Sequence, residues 1–164
     1  MESFKRHFLK EKEKRHLFTE VQGKTKIDLQ TIYGQGMNVE SAESKDVTFY
    51  LINGKPLFAK KDNSILPTLP FDGILKLLPH VVVNMGAVPH VCNGADVMAP
   101  GIVMVKGDFG KDDFVVVVDE KHQKPLAIGI ALYDSPTLTS LRQGKTIRNV
   151  HWVGDSLWQL LRKL

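Results

Sequence analysis

The sequence predicts an α+β protein of two small units: an α/β region over residues 1–78, then a β-rich barrel or sandwich over residues 79–164 with a closing helix. Three observations predict it. Residues 46–61 read DVTFYLI, Asn53-Gly54, KPLFAKK, two strand-like runs around the dipeptide that best supplies the positive φ angles of a two-residue hairpin turn. After Pro79 the chain changes character, and β-branched runs recur at 80–83, 101–105, 114–120, 125–132 and 146–153, with connections suited to a largely antiparallel barrel or sandwich. The last nine residues place Leu157, Leu160, Leu161 and Leu164 at i, i+3, i+4 and i+7, one apolar helix face for packing on the barrel.

Each element follows in order. FKRHFL at 4–9 reads as a short strand. Lys10 to Val21 reads as a helix with Phe8, Leu17, Phe18 and Val21 on its apolar side. Up to Lys26 there are eight basic residues against four acidic ones, either a solvated helix face or a surface turned to phosphates. KIDLQTIY at 26–33 reads as a second helix closed by Gly34 and Gly36. Pro56 suits a strand start or an edge. Pro67 and Pro70 bracket a loop, FDGILKLL at 71–78 gives one or two helical turns, and Pro79 ends them. Asn84 can cap a short helix whose end at Gly94 suits a left-handed residue. Pro89 lies near the first turn of that helix, where a missing N–H costs least. Asp155 can cap the last helix.

Hydrophobic residues make up 43% of the 164-residue chain and charged residues 24%, enough apolar content for a real core. Two units this small are expected to pack against each other. Lys and Arg outnumber Asp and Glu by 22 to 18, for a net charge of +4, which permits an anionic partner without requiring one. A single cysteine excludes an internal disulfide and suits a reducing compartment. No apolar run approaches the roughly 20 residues needed to span a bilayer, and MESFKRHFLKEKEKRHLF has no apolar stretch like a signal peptide. A cytoplasmic protein that does not engage a membrane is expected.

The residues supply little catalytic chemistry. His90-x-Cys92 has no second cysteine, and His7, His16, His80, His122 and His151 lack ligand spacing, so no metal is expected. Cys92 at the end of a short helix reads as a small buried hydrophobe rather than a nucleophile. There is no P-loop and no Gly-x-Ser-x-Gly, and Gly34-Gln35-Gly36 lacks the third glycine of a dinucleotide site. Asp112-Asp113 and Asp119-Glu120 read as solvated turn acids. Neither catalysis nor a cofactor is expected. What remains is NMGAVPHVCNGADVMAPGI at 84–102. Its small residues let a partner approach the backbone, or else simply form a tight helix-to-strand turn.

GAVPHVCNGADVMAPGI resembles the first helix and second strand of the PUA domain, an RNA-binding module found in pseudouridine synthases and archaeosine transglycosylases. KPLAIGIALYDSPTLTSLRQGKTIRNVHWVGDSLW resembles the rest of it. NGKPLFAKKDNSILPTL followed by ILKLLPHVVV is similar to the malignant-T-cell-amplified-sequence family, the translation-machinery-associated proteins of eukaryotes and their archaeal relatives. The match runs from about Val47 to Trp158. The resemblance implies an α/β pre-PUA domain at 1–78 and a PUA pseudobarrel with a C-terminal helix at 79–164. It also implies RNA binding on a face carrying Gly86, Ala87 and His90 from the helix, Asn93, Gly94, Ala95 and Asp96 from the turn, and Met98, Pro100 and Gly101 beyond. Lys145, Arg148 and His151 are the expected phosphate contacts. Arg148 shares parity with Val150 and Trp152, so burial of those two would turn it inward or require a bulge.

The function implied is an RNA-binding translation factor acting on the small ribosomal subunit or on tRNA. A translation-factor protein partner is expected to dock on the N-terminal unit. Two other readings remain open at this level: an accessory specificity subunit for an RNA-modifying enzyme, and a protein–protein adaptor docking through the N-terminal hairpin.

Overall fold

The computed structural model describes residues 3–70 and 72–164. The expected helix start at Phe71 lies outside the described residues. The chain opens with β1 (Lys5–Phe8) and α1 (Glu11–Thr25), whose first turn is closed where Glu13 Oε1 accepts the Lys10 N–H at 3.0 Å. α1 buries Leu17 and Val21, as its spacing predicts, and ends at Lys26 in a left-handed conformation. α2 (Leu29–Tyr33) is shorter than expected. Asp28 caps it, accepting from the N–H groups of Gln30 and Thr31, so Lys26 and Ile27 lie in the approach and not in the helix.

β2 (Val39–Glu43), β3 (Val47–Ile52), β4 (Lys55–Lys61) and β5 (Ser64–Pro67) complete an antiparallel sheet in the order β1-β2-β3-β4-β5. Asn53 and Gly54 turn the hairpin with φ of 50° and 84°. Pro56 sits at the second residue of β4, beside a shift in register opposite Tyr50 and Leu51. Two elements depart from expectation. VESAE forms β2 and SILP pairs with β4 as β5, two strands that the sequence reading did not assign. α3 (Asp72–Leu75) then leads to Pro79.

The second unit comprises β6 (His80–Val83), α4 (Val88–Val91), β7 (Val97–Met98), β8 (Ile102–Lys106), β9 (Phe114–Asp119), β10 (Pro125–Ala131), α5 (Ser135–Ser140), β11 (Lys145–Trp152) and α6 (Ser156–Leu161). Its sheet runs β7-β11-β10-β9-β6-β8. Every pairing is antiparallel except β6 with β9. The two edge strands, β7 and β8, are consecutive in the chain and joined by a single 3₁₀ turn, Ala99–Gly101. The sheet therefore curls until its edges meet at one corner, which makes it a half-closed barrel.

The units share a core. One apolar cluster joins Leu17, Phe49, Phe58 and Leu75 to Val82, Val116, Val118, Ile128, Leu157 and Leu161. Asp155 caps α6, taking the Trp158 N–H at 2.7 Å, and Leu160 and Leu164 rest against the same cluster. A second cluster fills the barrel around Val81, Val117, Ala127 and Ile147.

Candidate nucleic-acid interface

Asn84 leaves β6 and its Oδ1 accepts the Ala87 N–H at 2.9 Å, ordering the turn into α4. Pro89 occupies the first turn of α4, where it forfeits no helix bond. At the far end the N–H groups of Asn93 and Ala95 donate to the His90 carbonyl and that of Gly94 to the Val91 carbonyl. Gly94 has φ of 91°, and a Cβ there would lie 2.8 Å from the Trp152 ring. The turn's amides at Asn93, Gly94 and Ala95 are bonded within the chain, and the Trp152 indole packs closely against Gly94.

Asn149 holds the corner to β11. Its Nδ2 donates to the carbonyls of Val91 and Ala95, each at 3.1 Å, while its own N–H donates to Asp96 Oδ1 at 2.9 Å. Asp96 Oδ2 in turn lies 3.4 Å from Lys145 Nζ. Asp96 thus ties the turn to the last strand and neutralises part of the Lys145 charge.

Between these elements lies an open groove of about 540 Å³. Ala87, His90, Ala95, Asp96, Met98, Pro100, Gly101 and Lys145 line it, together with Asn84, Val91 and Val97. Eight of the residues expected from the sequence therefore share one cavity. Gly86 and Asn93 are exposed nearby in sequence but outside the lining. Arg148 is exposed on β11. β11 is bulged there, because Ile128 and Gly129 pair with His151 and Asn149 and leave Val150 unmatched. The half-buried Val150 and Trp152 therefore do not force Arg148 inward.

His151 does not belong to this surface. It is fully buried. Its Nε2 accepts the Leu69 N–H at 3.2 Å, and its Nδ1–H donates to Asp155 Oδ2 at 2.9 Å. The expected phosphate contact is instead a bridge between the two units that fixes one neutral tautomer. Cys92 packs half-buried against the barrel core, and burial pushes its thiol up from the ordinary value. Among the described residues no cluster of His, Cys, Asp and Glu is placed to hold a metal, and no helix is long and apolar enough to cross a membrane.

Residues 79–153 match the PUA domain, and residues 5–77 match a domain of unknown function (DUF1947). The uncharacterized protein MJ1432 of Methanocaldococcus jannaschii is 40% identical over 161 residues, 96% of this chain and 98% of that one. Translation machinery-associated protein 20 of Schizosaccharomyces pombe is 33% identical over 118 residues, 68% of this chain and 65% of that one. Malignant T-cell-amplified sequence 1 of Rattus norvegicus is 29% identical over 119 residues. The chain belongs to this family of PUA-domain proteins. Among solved structures, the PUA-domain protein APE0525 of Aeropyrum pernix K1 superposes with a TM-score of 0.83 at 27% identity, covering 98% of this chain and 92% of that one. Protein PH0734.1 of Pyrococcus horikoshii OT3 superposes with 0.78 at 32%, covering 96% and 99%.

On this PUA domain the groove lies where the helix, the 3₁₀ turn and the last strand converge. Sequence reasoning missed Asn149, which holds the groove together. The signal was a lone amide inside a β-branched strand, and nothing local says that it reaches across to Val91 and Ala95.

Proposed function

We propose that this protein binds RNA through the groove beside α4 and serves the translation machinery in the cytoplasm, at the small ribosomal subunit or at tRNA. It acts by binding and not by catalysis. The observation that carries this reading is the groove itself: an apolar-walled cavity in the usual size range of ligand sites, roughly 300–1,000 Å³, with Lys145 on its wall and Arg148 exposed on the same strand. Its walls at Ala87, Val91, Val97 and Pro100 suit the flat face of an unpaired base. Lys145 and Arg148 face the flanking phosphates, and each phosphate neutralised releases counterions. The family relatives named for the translation machinery support the setting. In this reading residues 79–164 carry the RNA and residues 1–78 receive a translation-factor protein partner.

In-cell ultraviolet crosslinking with sequencing of the attached RNA tests this. Reads concentrated on small-subunit rRNA or tRNA 3′ regions are expected. Reads confined to the targets of one modification enzyme would shift the role to a specificity subunit. Absence of RNA above background, beside a positive control, would remove the RNA reading.

A further inference from the structure

The surface continues beyond the groove. The Asn84 N–H donates to the Gly101 carbonyl at 2.9 Å, forming a low partition with the groove on one side. Met85, which follows Asn84, and Val103 and Met104, two and three residues beyond Gly101, floor a second depression of about 520 Å³. These three are 42%, 51% and 51% exposed, unusually open for residues of this type. β8 is the outer strand of its sheet, and its run Ile102 to Val105 carries none of the charged or proline residues that usually guard an edge. Something is expected to cover it.

The charges at the rim say what. Lys106 Nζ donates to the neutral Gln123 amide at 2.8 Å. Neither Lys106 nor Lys121 has a carboxylate partner among the described residues. The one carboxylate on the rim, Glu120, accepts the Met85 N–H at 3.3 Å. A second copy of this chain would bring the same cations against themselves, because a two-fold contact pairs a patch with its own image. A polyanion with flat apolar faces complements both features.

We propose that Met85, Val103 and Met104, with Lys106 and Lys121 at the rim, form a second subsite that holds the single-stranded RNA continuing out of the groove. This rests on the RNA reading above and extends it. The bound RNA is an unpaired segment of several nucleotides, its bases lying on the methionine and valine side chains and its phosphates on the two lysines.

The test uses the full chain and mixed-sequence single-stranded RNAs of about 4, 8 and 12 nucleotides, lengths within the site sizes of such platforms, titrated by fluorescence anisotropy at several salt concentrations. The wild type gains affinity and salt dependence with length. The double variant Lys106→Ala, Lys121→Ala keeps its affinity for the shortest RNA and loses the gain. Its salt slope on the longest RNA falls by about 1.4, at ~0.7 for each single-strand phosphate contact. Met104→Glu also abolishes the gain, whereas Lys145→Ala weakens all three lengths. An equal length gain in the double variant would overturn the subsite and leave the groove reading standing. No binding at any length would overturn both. If Met104→Glu instead converts a dimer to a monomer in light scattering, the floor is a self-contact and the subsite is overturned.

Discussion

Trp152 lies across Gly94 so closely that a Cβ on the glycine would sit 2.8 Å from the Trp152 ring carbon Cζ2. The corner between helix and strand is therefore shaped by the last strand behind it. Gly94→Ala must move the indole and also hold φ near 91°, a left-handed conformation that costs a residue with a Cβ about 1–3 kcal/mol. With overpacking of similar size, a loss of about 2–6 kcal/mol in unfolding free energy is expected from denaturant titration. Trp152→Leu should relieve part of that loss in the double variant but not the φ strain. A loss under about 0.5 kcal/mol, the scale of an ordinary surface change, would contradict the packing.

His151→Ala leaves the Leu69 N–H without its partner and takes one of three hydrogen bonds from the Asp155 carboxylate. The stranded amide costs about 1–3 kcal/mol and the emptied core position adds a cavity cost, so a destabilisation of at least about 2 kcal/mol is expected in chemical unfolding. Because the side chain is fully buried, RNA affinity of the folded fraction should stay at the wild-type value. A fall in affinity without a fall in stability would return His151 to the binding surface.

Lys145→Ala and Arg148→Ala should weaken RNA binding across all sequences and lower the salt slope by roughly 0.7 each, with stability within about 0.5 kcal/mol of wild type. Both side chains are exposed, so folding is not at issue. Salt-dependent filter binding reads the slope. An unchanged slope in both variants would move the phosphate contacts elsewhere.

Asn149→Leu removes the bonds to Val91 and Ala95 while keeping the volume similar. The Ala95 carbonyl loses this partner while the Val91 carbonyl keeps the Gly94 N–H, so a cost of roughly 1–2 kcal/mol is expected. Faster amide exchange at Asn93, Gly94 and Ala95 should accompany it, because these amides close α4. Exchange confined to distant strands would rule out this anchoring role.

Acid sensitivity follows from Asp155. Burial raises its carboxyl, but the hydrogen bonds from His151 and from the N–H groups of Trp158 and Trp152 outweigh this and hold it below the ordinary value. The folded group therefore favours its ionised form more than the unfolded one, which titrates near 3.9. Its contribution is fully present above that value and is lost as pH falls through the lower folded value. Denaturant midpoints of wild type and Asp155→Asn should differ at neutral pH and converge below about pH 4. A constant difference across that range would remove Asp155 as the source.

Where local chemistry decides structure, the sequence is legible: the Asn53-Gly54 hairpin, the Asp155 cap and the leucine face of α6 all appear where their residues place them. β2 escaped notice because VESAE offers only Val39, Ser41 and Ala42 to the core, with no apolar run to mark it. β5 escaped because SILP ends in a proline that reads as a loop boundary. Eight of the residues expected from the sequence line one groove, but their contacts were not legible. Small residues at 94–101 look alike whether they admit a ligand or an indole, and His151 and Arg148 differ only through tertiary pairing. The shared parity of Arg148, Val150 and Trp152 signalled the one-residue bulge opposite Gly129, but only pairing with β10 chooses it over an inward Arg148.

The apolar cluster that runs through both units governs how this molecule can be dissected. Cut after residue 78, the first piece would carry Phe49, Phe58 and Leu75 with part of their cover gone, while the remainder would bare Val82, Val116 and Leu161. Each fragment would be sticky for reasons unrelated to its own business. Pull-downs with isolated halves would therefore report misplaced grease before they reported a partner. Assigning one task to the front half and another to the back half is a job for point substitutions in the intact chain.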